Sequence, residues 1–366
     1  STGLADNDSF SLSATILNPE GWDHDNEQST INVLAADHFN NLVPSGTRIS
    51  FRTEGGGIDS SCVTGSKDNG AGVLIPNGGC SVTWRSQDSR PFRGTTVICP
   101  NGGFNGIITP PCTGNSYARY LDGTNSVIAE PRPGRTTITA YAIGEESFVD
   151  LNGNGLFDKD EDFSDLSEAF TDHNEDGKYR GSPLPAGAVK EEFIDYNVSG
   201  SFDGVDGKYT GLLCAQGSEA NCTNTGSDNF KAQLNVFRNL PLVMSGSTPF
   251  MRLVNIDAVT GNITPVQPID LTVDAPQTVY LFLSDLNNNT LPFGTTITGT
   301  ADNGVLSSVT STYTIGNNTS NKPLLYPFTI GLETSPNKKT IGQLTITVKT
   351  PLGEPLAVFV NVIDAG

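Results

Sequence analysis

Three copies of a short acidic motif, all between residues 145 and 206, limit the possible folds of this chain more than any other feature. The copies begin at Asp150, Asp172 and Asp195. Each copy has oxygen-bearing side chains at positions 1, 3 and 5 and a glycine at position 6, the arrangement of a calcium loop. The segment carries 17 acidic and 4 basic residues, a net charge of −13 out of −19 for the chain. Without cations such a segment would repel itself open.

Position 12 of each copy decides how the loop is closed. Glu161 occupies position 12 of the first copy, and Asp206 that of the third. In the second copy position 12 falls on Pro183, and Glu191 is predicted to close this loop across an insertion. A second repeat, Glu-x-Phe-x-Asp, supports this arrangement because its Glu can complete one loop and its Asp can begin the next. With the carbonyl of position 7 included, the predicted ligands for up to three Ca²⁺ ions are Asp150, Asn152, Asn154, Leu156, Asp158, Glu161, Asp165, Glu168, Asp172, Asn174, Asp176, Lys178, Glu191, Asp195, Asn197, Ser199, Ser201, Asp203 and Asp206.

The alternative for this segment is an acidic, solvated linker without fixed structure. Side chains of Asp and Asn, with no Cys nearby, favour a hard cation over zinc or copper. His173 stands at position 2 of the second copy, on the side that points away from the ion, and is expected to be exposed. Pro183, Pro185 and repeated glycines break helices, so the loops are not expected to form helix-loop-helix units. We therefore expect a calcium-stiffened connector.

Composition favours short strands and turns. The 366 residues include 40 Gly, 22 Pro and only 2 Met, which predicts an all-β chain long enough for two or three domains. A pI near 4.4 and the absence of Lys/Arg stripes argue against nucleic acid as a partner. The sequence has no apolar run of 18 residues, so no direct membrane insertion by this segment is predicted.

The six cysteines lie in Gly/Asn/Pro-rich surroundings and form three close pairs along the sequence. None has the CxxC spacing of a metal site. Six cysteines allow 15 pairings, of which we predict the sequential one, and with it an oxidising, extracellular compartment. The predicted disulfides join Cys62 with Cys80, Cys99 with Cys112, and Cys214 with Cys222.

Alternating apolar and polar residues predict β-strands on both sides of the acidic segment. The clearest runs start at Phe10, Ile31, Cys80, Thr136 and Ile341. The chain also repeats itself, because residues 31 to 60 and 279 to 308 align without a gap at a constant offset of 248. Two domains of one type are therefore predicted.

These repeated residues support a resemblance to a known family. The first repeat, followed by CSVTWRS and TTITAYAIG, resembles the bacterial Ig-like group 1 domain of the invasin/intimin type. With the bridge AIGEESF and DLNGNG, the chain is similar to Ig-like surface proteins of Gram-negative bacteria, including pilus-associated and biofilm adhesins. The resemblance implies a β-sandwich fold and a location at the cell surface. The motif positions are Asp37, Asn41, Pro44, Gly46, Thr47 and Trp84.

The predicted architecture is two Ig-like β-sandwiches joined by a calcium-binding segment. The boundaries are 8–147 for the first sandwich with a disulfide-stapled insertion, 148–210 for the calcium connector, 211–269 for a bridging segment, and 270–366 for the second sandwich. The bridging segment contains a cysteine pair and one strand that belongs to a sheet of the first domain or begins the second.

The predicted function is attachment without catalysis. The sequence has no Gly-x-Ser-x-Gly, HExxH or phosphate-binding glycine-lysine loop, and its paired carboxylates suit metal ligation better than acid/base chemistry. The chain is interpreted as a stalk or tip segment of a bacterial surface or pilus adhesin. Its expected partners are a host-surface or matrix protein, a glycan, or neighbouring surface or pilus subunits. The alternatives are a secreted carbohydrate-binding or enzyme-associated module and a pure structural spacer.

Overall fold

The computed structural model describes the chain except for residues 92–118, 122–126, 130–133, 182–189, 227–228, 230, 272–274, 288, 321–322, 333–340 and 365–366. Its described residues form β-strands and three short 3₁₀ turns, at Asn7–Ser9, Glu219–Asn221 and Ser308–Thr310, without any α-helix among them. The all-β prediction is confirmed. A helix long and apolar enough to cross a bilayer does not occur in this described part of the chain.

The strands are named here in chain order. They are β1 (Ala5–Asp6), β2 (Phe10–Ala14), β3 (Gln28–Ala35), β4 (Arg48–Thr53), β5 (Gly57–Ile58), β6 (Ser61–Val63), β7 (Ser66–Asp68), β8 (Leu74–Pro76), β9 (Gly79–Arg85), β10 (Arg119–Leu121), β11 (Val127–Ala129), β12 (Arg135–Glu145), β13 (Leu234–Val243), β14 (Pro249–Ile256), β15 (Ile263–Pro265), β16 (Ile269–Asp270), β17 (Gln277–Asp285), β18 (Thr296–Ala301), β19 (Val305–Leu306), β20 (Thr312–Thr314), β21 (Leu324–Gly331), β22 (Ile341–Lys349) and β23 (Leu356–Ile363).

The chain divides into two compact units, and each is described by itself. Unit 1 comprises Ser1–Thr15, Gln28–Arg85 and Thr136–Pro241, and unit 2 comprises Ile16–Glu27, Ser86–Arg135 and Leu242–Gly366. The acidic segment of residues 145 to 206 therefore belongs to unit 1, together with the first sandwich.

Unit 1 contains two sheets whose apolar faces share a core. One sheet has the order β2-β3-β9-β5, and the other has β1-β12-β4-β6 with β13 also paired to β12. Alternation along the strands buries one face of each sheet. Trp84 on β9 is fully buried, and its indole N–H donates to the Gly55 carbonyl at 3.0 Å. The buried residues of the two sheets include Ile31, Val33, Val82, Ile49, Phe51, Ile138 and Ala140.

Unit 2 is a second sandwich of the same kind. Its sheets have the orders β15-β14-β17-β21-β19 and β16-β23-β22-β18-β20. The final strand, β23, pairs with β22 along its whole length and with β16 at Val362 and Ile363. The core between the two sheets includes Leu281, Phe328, Ile330, Ile297, Leu344, Ile346 and Val362.

Residues that are 248 positions apart in the sequence form the same turn in the two units. Asp37 Oδ1 accepts hydrogen bonds from the amides of Phe39 and Asn41 at 3.0 and 2.9 Å. Asp285 Oδ1, 248 positions later, accepts from the amides of residues 287 and 289, both at 2.8 Å. The strands that follow, β4 and β18, span equivalent residues. The two units thus share this turn and the strand that follows it.

Two of the predicted disulfides lie among the described residues. Cys62 on β6 is bonded to Cys80 on β9 and so joins the two sheets of unit 1. Cys214 is bonded to Cys222 in the segment that follows the acidic loops. The predicted pair Cys99 and Cys112 falls outside the described residues.

Candidate calcium-binding segment

Each of the three predicted loops is organised by the aspartate at position 1. In the first loop Asp150 accepts hydrogen bonds from the amides of Asn154 at 3.2 Å and Gly155 at 2.8 Å, which are positions 5 and 6. The same two positions donate to Asp172 at 3.2 and 2.7 Å and to Asp195 at 2.9 and 2.8 Å. The position-6 glycines adopt the left-handed backbone that glycine tolerates without strain, with φ of 72° at Gly155, 72° at Gly177 and 78° at Gly200.

A glutamate closes the first loop by binding two main-chain amides. One carboxylate oxygen of Glu161 accepts from the Leu151 amide at 2.8 Å, and the other accepts from the Asp158 amide at 2.9 Å. These amides belong to positions 2 and 9. The single carboxylate therefore holds the beginning and the end of the loop together.

Glu191 makes the same two contacts in the second loop, which is the role that the sequence suggested for it. It accepts from the His173 amide at 3.1 Å and from the Arg180 amide at 2.7 Å, again positions 2 and 9. The interruption at position 12 is thus bridged by a glutamate 19 residues after Asp172.

The third loop is closed by Glu168 and not by Asp206, so that part of the sequence interpretation is corrected. Glu168 accepts from the amides of Tyr196 at 2.8 Å and Asp203 at 3.1 Å, the second and ninth positions of this loop. An aspartate side chain is one methylene shorter than glutamate and reaches less far, whereas Glu168 approaches from a neighbouring segment of the chain.

Asp206 takes part in a fourth loop. Its amide and that of Gly207 donate to Asp165 at 3.2 and 2.7 Å, as positions 5 and 6 do in the other loops. Gly207 has a φ of 75°, like the other position-6 glycines. Because Asp165 and Asp206 are 41 residues apart, we call this the split loop.

Glu146 closes the split loop. Its two carboxylate oxygens accept from the amides of Leu166 and Thr210, both at 2.7 Å, which correspond to positions 2 and 9. Glu146 was not among the ligands predicted from the sequence. Two signals in the sequence point to it and to its loop. Residues 146 to 150 are a further copy of Glu-x-Phe-x-Asp, and Asp206-Gly-Lys-Tyr209 repeats Asp176-Gly-Lys-Tyr179.

The four loops form two pairs, each built on a short antiparallel ribbon. In the first loop pair, made of the first loop and the split loop, Val149 donates to Asp162 O at 2.9 Å and Ser164 donates to Ser147 O at 2.8 Å. In the second loop pair, made of the second and third loops, residues 169–171 and 192–194 pair in the same way. Since the strands run in opposite directions, the Glu of one lies beside the Asp of the other at both ends of the ribbon.

Each loop pair also has its own aromatic core. Position 8 is aromatic in all four loops, and the two rings of a pair stack on each other. The centroids of Phe157 and Tyr209 are 4.6 Å apart in the first pair, and those of Tyr179 and Phe202 are 3.9 Å apart in the second. The ribbon phenylalanines complete the two clusters edge to face: Phe148 and Phe163 in the first pair, Phe170 and Phe193 in the second.

The side chains of positions 3 and 9 are in contact in the first and third loops. The amide groups of Asn152 and Asn154 both donate to Asp158 Oδ2, at 2.7 and 2.8 Å. Asn197 donates to Asp203 Oδ2 at 2.6 Å. Positions 3 and 9 are therefore close together in both loops, and position 5 joins them in the first loop. The main-chain carbonyls available at position 7 are those of Leu156, Lys178, Ser201 and, in the split loop, Lys208.

The donor set fits a hard cation rather than a transition metal. Among the described residues, no three His, Cys, Asp or Glu side chains form a metal-binding group by themselves. Each loop instead adds amide, hydroxyl and main-chain oxygens to its carboxylates, as calcium loops do. In the second loop, Asn174 is only 7% exposed, yet its side-chain amide nitrogen has no hydrogen-bond partner. Position 9 is Arg180 there, which offers no side-chain acceptor.

Burial makes several of these carboxylates reluctant to ionise. It raises the pKa of Glu146 to about 8 and that of Glu191 to about 7, and it also raises the pKa of Asp172. The pKa of the more exposed Asp150 is lowered, chiefly by the hydrogen bond from the Gly155 amide. A bound cation would favour the ionised form of the buried glutamates.

His173 is buried, so the expectation that it is exposed was wrong. Its exposure is 8%, and burial lowers the pKa of the imidazole. The neighbouring main chain packs against β12, because the Thr137 hydroxyl donates to the Asp172 carbonyl at 2.6 Å. The side of the loop that points away from the ion therefore faces the sandwich and not solvent.

Both loop pairs are attached to the sandwich of unit 1. The second pair is held by hydrogen bonds, including Thr139 Oγ1 to Thr171 Oγ1 at 3.0 Å and Asn239 Nδ2 to Phe170 O at 3.0 Å. In the first pair, the His38 ring stacks on Phe148 with centroids 4.1 Å apart. Within unit 1 the acidic segment is thus a packed part of the fold.

These features define an all-β protein with paired, acidic, glycine-containing loops. No protein-family model matches the sequence, and no curated protein matches it either. The solved structures with some similarity to the chain include three at 10 to 12% identity. The D0-D1 domain of intimin is 10% identical with a TM-score of 0.21, over 97% of this chain and 96% of that one.

The other two are larger proteins. The adhesin InvE of Yersinia pseudotuberculosis is 10% identical with a TM-score of 0.24, over 98% of this chain and 60% of that one. Trypsin-activated alpha-2-macroglobulin from Escherichia coli is 12% identical with a TM-score of 0.18, over 99% of this chain and 24% of that one. The chain thus spans less than two thirds of the length of either protein. The all-β assignment rests on the strand pairing of this chain.

Proposed function

We propose that this chain is a non-enzymatic, calcium-binding segment of an extracellular bacterial adhesin, in which four Ca²⁺ ions hold the acidic loops folded against the first sandwich. The observation that carries the proposal is the fourfold repetition of one contact pattern. In every loop the first aspartate binds the amides of positions 5 and 6, and a glutamate binds those of positions 2 and 9.

The residues that would hold the ions are grouped by loop. The first loop would use Asp150, Asn152, Asn154, Asp158 and Glu161, and the second Asp172, Asn174, Asp176 and Glu191. The third would use Asp195, Asn197, Ser199, Asp203 and Glu168, and the split loop Asp165, Asp206 and Glu146. A calcium ion supplies positive charge where many carboxylates lie close together, and this replaces mutual repulsion by attraction. Four ions would cancel eight of the 13 net negative charges counted between residues 145 and 206.

The attachment role is supported by the architecture and by the motif resemblance. Two related sandwiches with disulfides suit an oxidising extracellular medium, where calcium is plentiful. The phrase around Asp37 and Trp84 resembles the Ig-like domains of bacterial surface proteins. The proposed partners are a host-surface or matrix protein, a glycan, or a neighbouring surface or pilus subunit, which the chain contacts while its acidic segment remains rigid.

Native mass spectrometry combined with hydrogen exchange tests the calcium proposal. The full chain is prepared with 2 mM CaCl₂ or after treatment with EDTA. We expect four bound Ca²⁺ ions and strong protection of the amides that donate to Glu146, Glu161, Glu168 and Glu191. After chelation these amides should exchange much faster, while those of the β17 and β22 cores should not change. Equal protection in both samples, with no calcium adduct, would overturn the proposal.

A further inference from the structure

A small lobe closed by a disulfide packs against the first loop pair. The lobe consists of residues 211–223 and is closed by the disulfide between Cys214 and Cys222. Cys222 is 1% exposed and belongs to the same apolar cluster as Phe148, Phe157 and Tyr209. The disulfide is therefore part of the core of the first loop pair.

The lobe binds both position-8 aromatics of that pair through the main chain. On one side, the Phe157 amide donates to Leu213 O at 2.8 Å, and the Ala215 amide donates to Phe157 O at 2.9 Å. These contacts lie directly beside Cys214. The first loop is thus joined to one end of the disulfide.

The split loop is joined to the other end. The Tyr209 amide donates to Asn221 O at 2.8 Å, and the Thr223 amide donates to Tyr209 O at 2.9 Å. These contacts lie directly beside Cys222. The disulfide therefore fixes the distance between two β-bridges, one at Phe157 in the first loop and one at Tyr209 in the split loop. The stacked rings of Phe157 and Tyr209 lie between those bridges.

Two further contacts connect the lobe to the residues that close the loops. The Ser218 hydroxyl accepts from the amide of Lys159, which follows Asp158, at 3.0 Å. The Leu212 amide donates to Glu145, next to Glu146, at 3.0 Å. The lobe therefore touches the closing regions of the first loop and of the split loop. Among the described residues, no disulfide lies in the second loop pair.

We propose that the Cys214–Cys222 disulfide positions the first loop pair for calcium, so that its two ions bind more tightly than they would to the same loops without the cross-link. The proposal rests on the calcium function proposed above. The physical reason is that a cross-link removes conformations from the unbound state, and these conformations would otherwise have to be given up when the ion binds. The two cysteines are positioning residues and touch no ion.

Calorimetric calcium titration of the full chain tests this proposal. The second loop pair is silenced in all samples by Asp172→Asn and Asp195→Asn, so that only the first pair is measured. In this background Cys214→Ser with Cys222→Ser should weaken the remaining two ions by roughly 10- to 100-fold. The control Cys62→Ser with Cys80→Ser removes the sandwich disulfide and should leave these two affinities within about twofold.

A milder variant keeps the test decisive if the double serine variant does not fold. Ser218→Ala removes the contact to Lys159 but keeps the disulfide, and it should weaken the first-loop ion by about two- to fivefold. Unchanged affinities after loss of the Cys214–Cys222 bond, or equal weakening by both cysteine pairs, would overturn the positioning role while leaving calcium binding in place. Absence of any calcium binding by the unaltered chain would instead overturn the proposed function itself.

Discussion

The two loop pairs have the same contact pattern but are supported differently. The first pair contains a loop split by 41 residues and a disulfide in its aromatic core. The second pair is made of two loops in sequence order, and hydrogen bonds attach it to β12 and β13. The comparison shows that one loop geometry can be formed by a continuous or a discontinuous chain, provided that a ribbon sets the Asp and Glu side by side.

The second pair is also nested inside the first. It occupies residues 168 to 203, between the two parts of the split loop. At its base the Glu168 amide donates to Asp203 O at 3.0 Å, and the Glu168 side chain accepts from the Asp203 amide. We call this pair of hydrogen bonds between Glu168 and Asp203 the neck. Asp165 and Asp206 lie three residues outside it on either side, and the neck brings the Asp206 amide within hydrogen-bonding distance of the Asp165 carboxylate. Formation of the split loop therefore depends on the contact between Glu168 and Asp203, which Asp195→Asn leaves in place. The second loop lies at the far end of the insertion.

Loss of the neck glutamate is the change with the largest expected effect. Glu168→Ala should remove the ion of the third loop and, through the opened neck, that of the split loop. Each ion stabilises the folded state by ~2.7 kcal/mol when free calcium is 100 times the Kd. We expect unfolding free energy to fall by roughly 5 kcal/mol in chemical denaturation at constant calcium, and two fewer ions in native mass spectrometry.

The matched control is Glu191→Ala, which removes the equivalent glutamate at the far end of the second pair. It should cost one ion, roughly half the stability lost in the neck variant, and leave the split loop protected from hydrogen exchange. Loss of two ions in both variants would remove the distinction between the neck and the far end.

The strands were more predictable from the sequence than the loop closures were. Period-two alternation marks strands such as β3, β9 and β22 because every second residue must face the core. The first aspartates of the three contiguous loops were also predicted, because their positions 1, 3, 5 and 6 are local in sequence. The closing glutamate is local only in the first loop, where Glu161 stands at position 12. Glu146 and Glu168 reach their loops across a ribbon, and contiguous spacing assigned position 12 of the third loop to Asp206 instead.

The burial of His173 has a similar explanation. A position that faces away from the ion is exposed in an isolated loop. In this chain Thr137 on β12 holds the Asp172 carbonyl, which turns that side of the loop towards the sandwich. The position of a residue in the loop motif predicts whether its side chain points towards the ion. It does not predict which surface of the protein the loop packs against.

Proton release should separate the two pairs at intermediate pH. The folded pKa is raised by burial to about 8 for Glu146 in the first pair and to about 7 for Glu191 in the second. Between pH 4.5 and its folded pKa, each of these glutamates is more protonated in the folded state than in the unfolded state. The free energy of unfolding of the calcium-free protein therefore falls as the pH rises through that range. At pH 7.5 Glu146 is still largely protonated and Glu191 is largely ionised. Calcium binding to the first pair should therefore release more protons.

Calorimetry in two buffers of different ionisation enthalpy measures this release. Samples with only one active pair are obtained with Asp172→Asn and Asp195→Asn, or with Asp150→Asn and Asp165→Asn. We expect most of a proton to leave the first pair at pH 7.5, and about a quarter of one to leave the second. Glu146→Gln should bring the proton release from the first pair below that from the second. With Glu146 intact, a larger release from the second pair would contradict the burial difference between the two glutamates.

Position 9 offers the finest comparison, with the smallest expected effect. The first and third loops have aspartates there, Asp158 and Asp203, whose oxygens receive asparagine side chains. The second loop has Arg180, which donates to Asp176 at 3.1 Å through its Nε and so competes with an ion for that carboxylate. Both side chains are about one quarter exposed, so the pair contributes only a modest free energy. Arg180→Ala should therefore tighten calcium binding in the second loop by about two- to fivefold.

Charge at Arg180 can be separated from its shape by two companion substitutions. Arg180→Lys keeps the positive charge but loses the forked guanidinium, and it should give a smaller gain than alanine. Arg180→Asp places a carboxylate at position 9, as in the first and third loops, and should give the largest gain. Calorimetric titration of the second pair alone should thus rank the affinities Asp, Ala, Lys, Arg. If the alanine variant binds calcium more weakly, Arg180 organises the second loop. A hydrogen bond from Arg180 that only competed with the ion for Asp176 would weaken calcium binding, so its removal could not reduce the affinity.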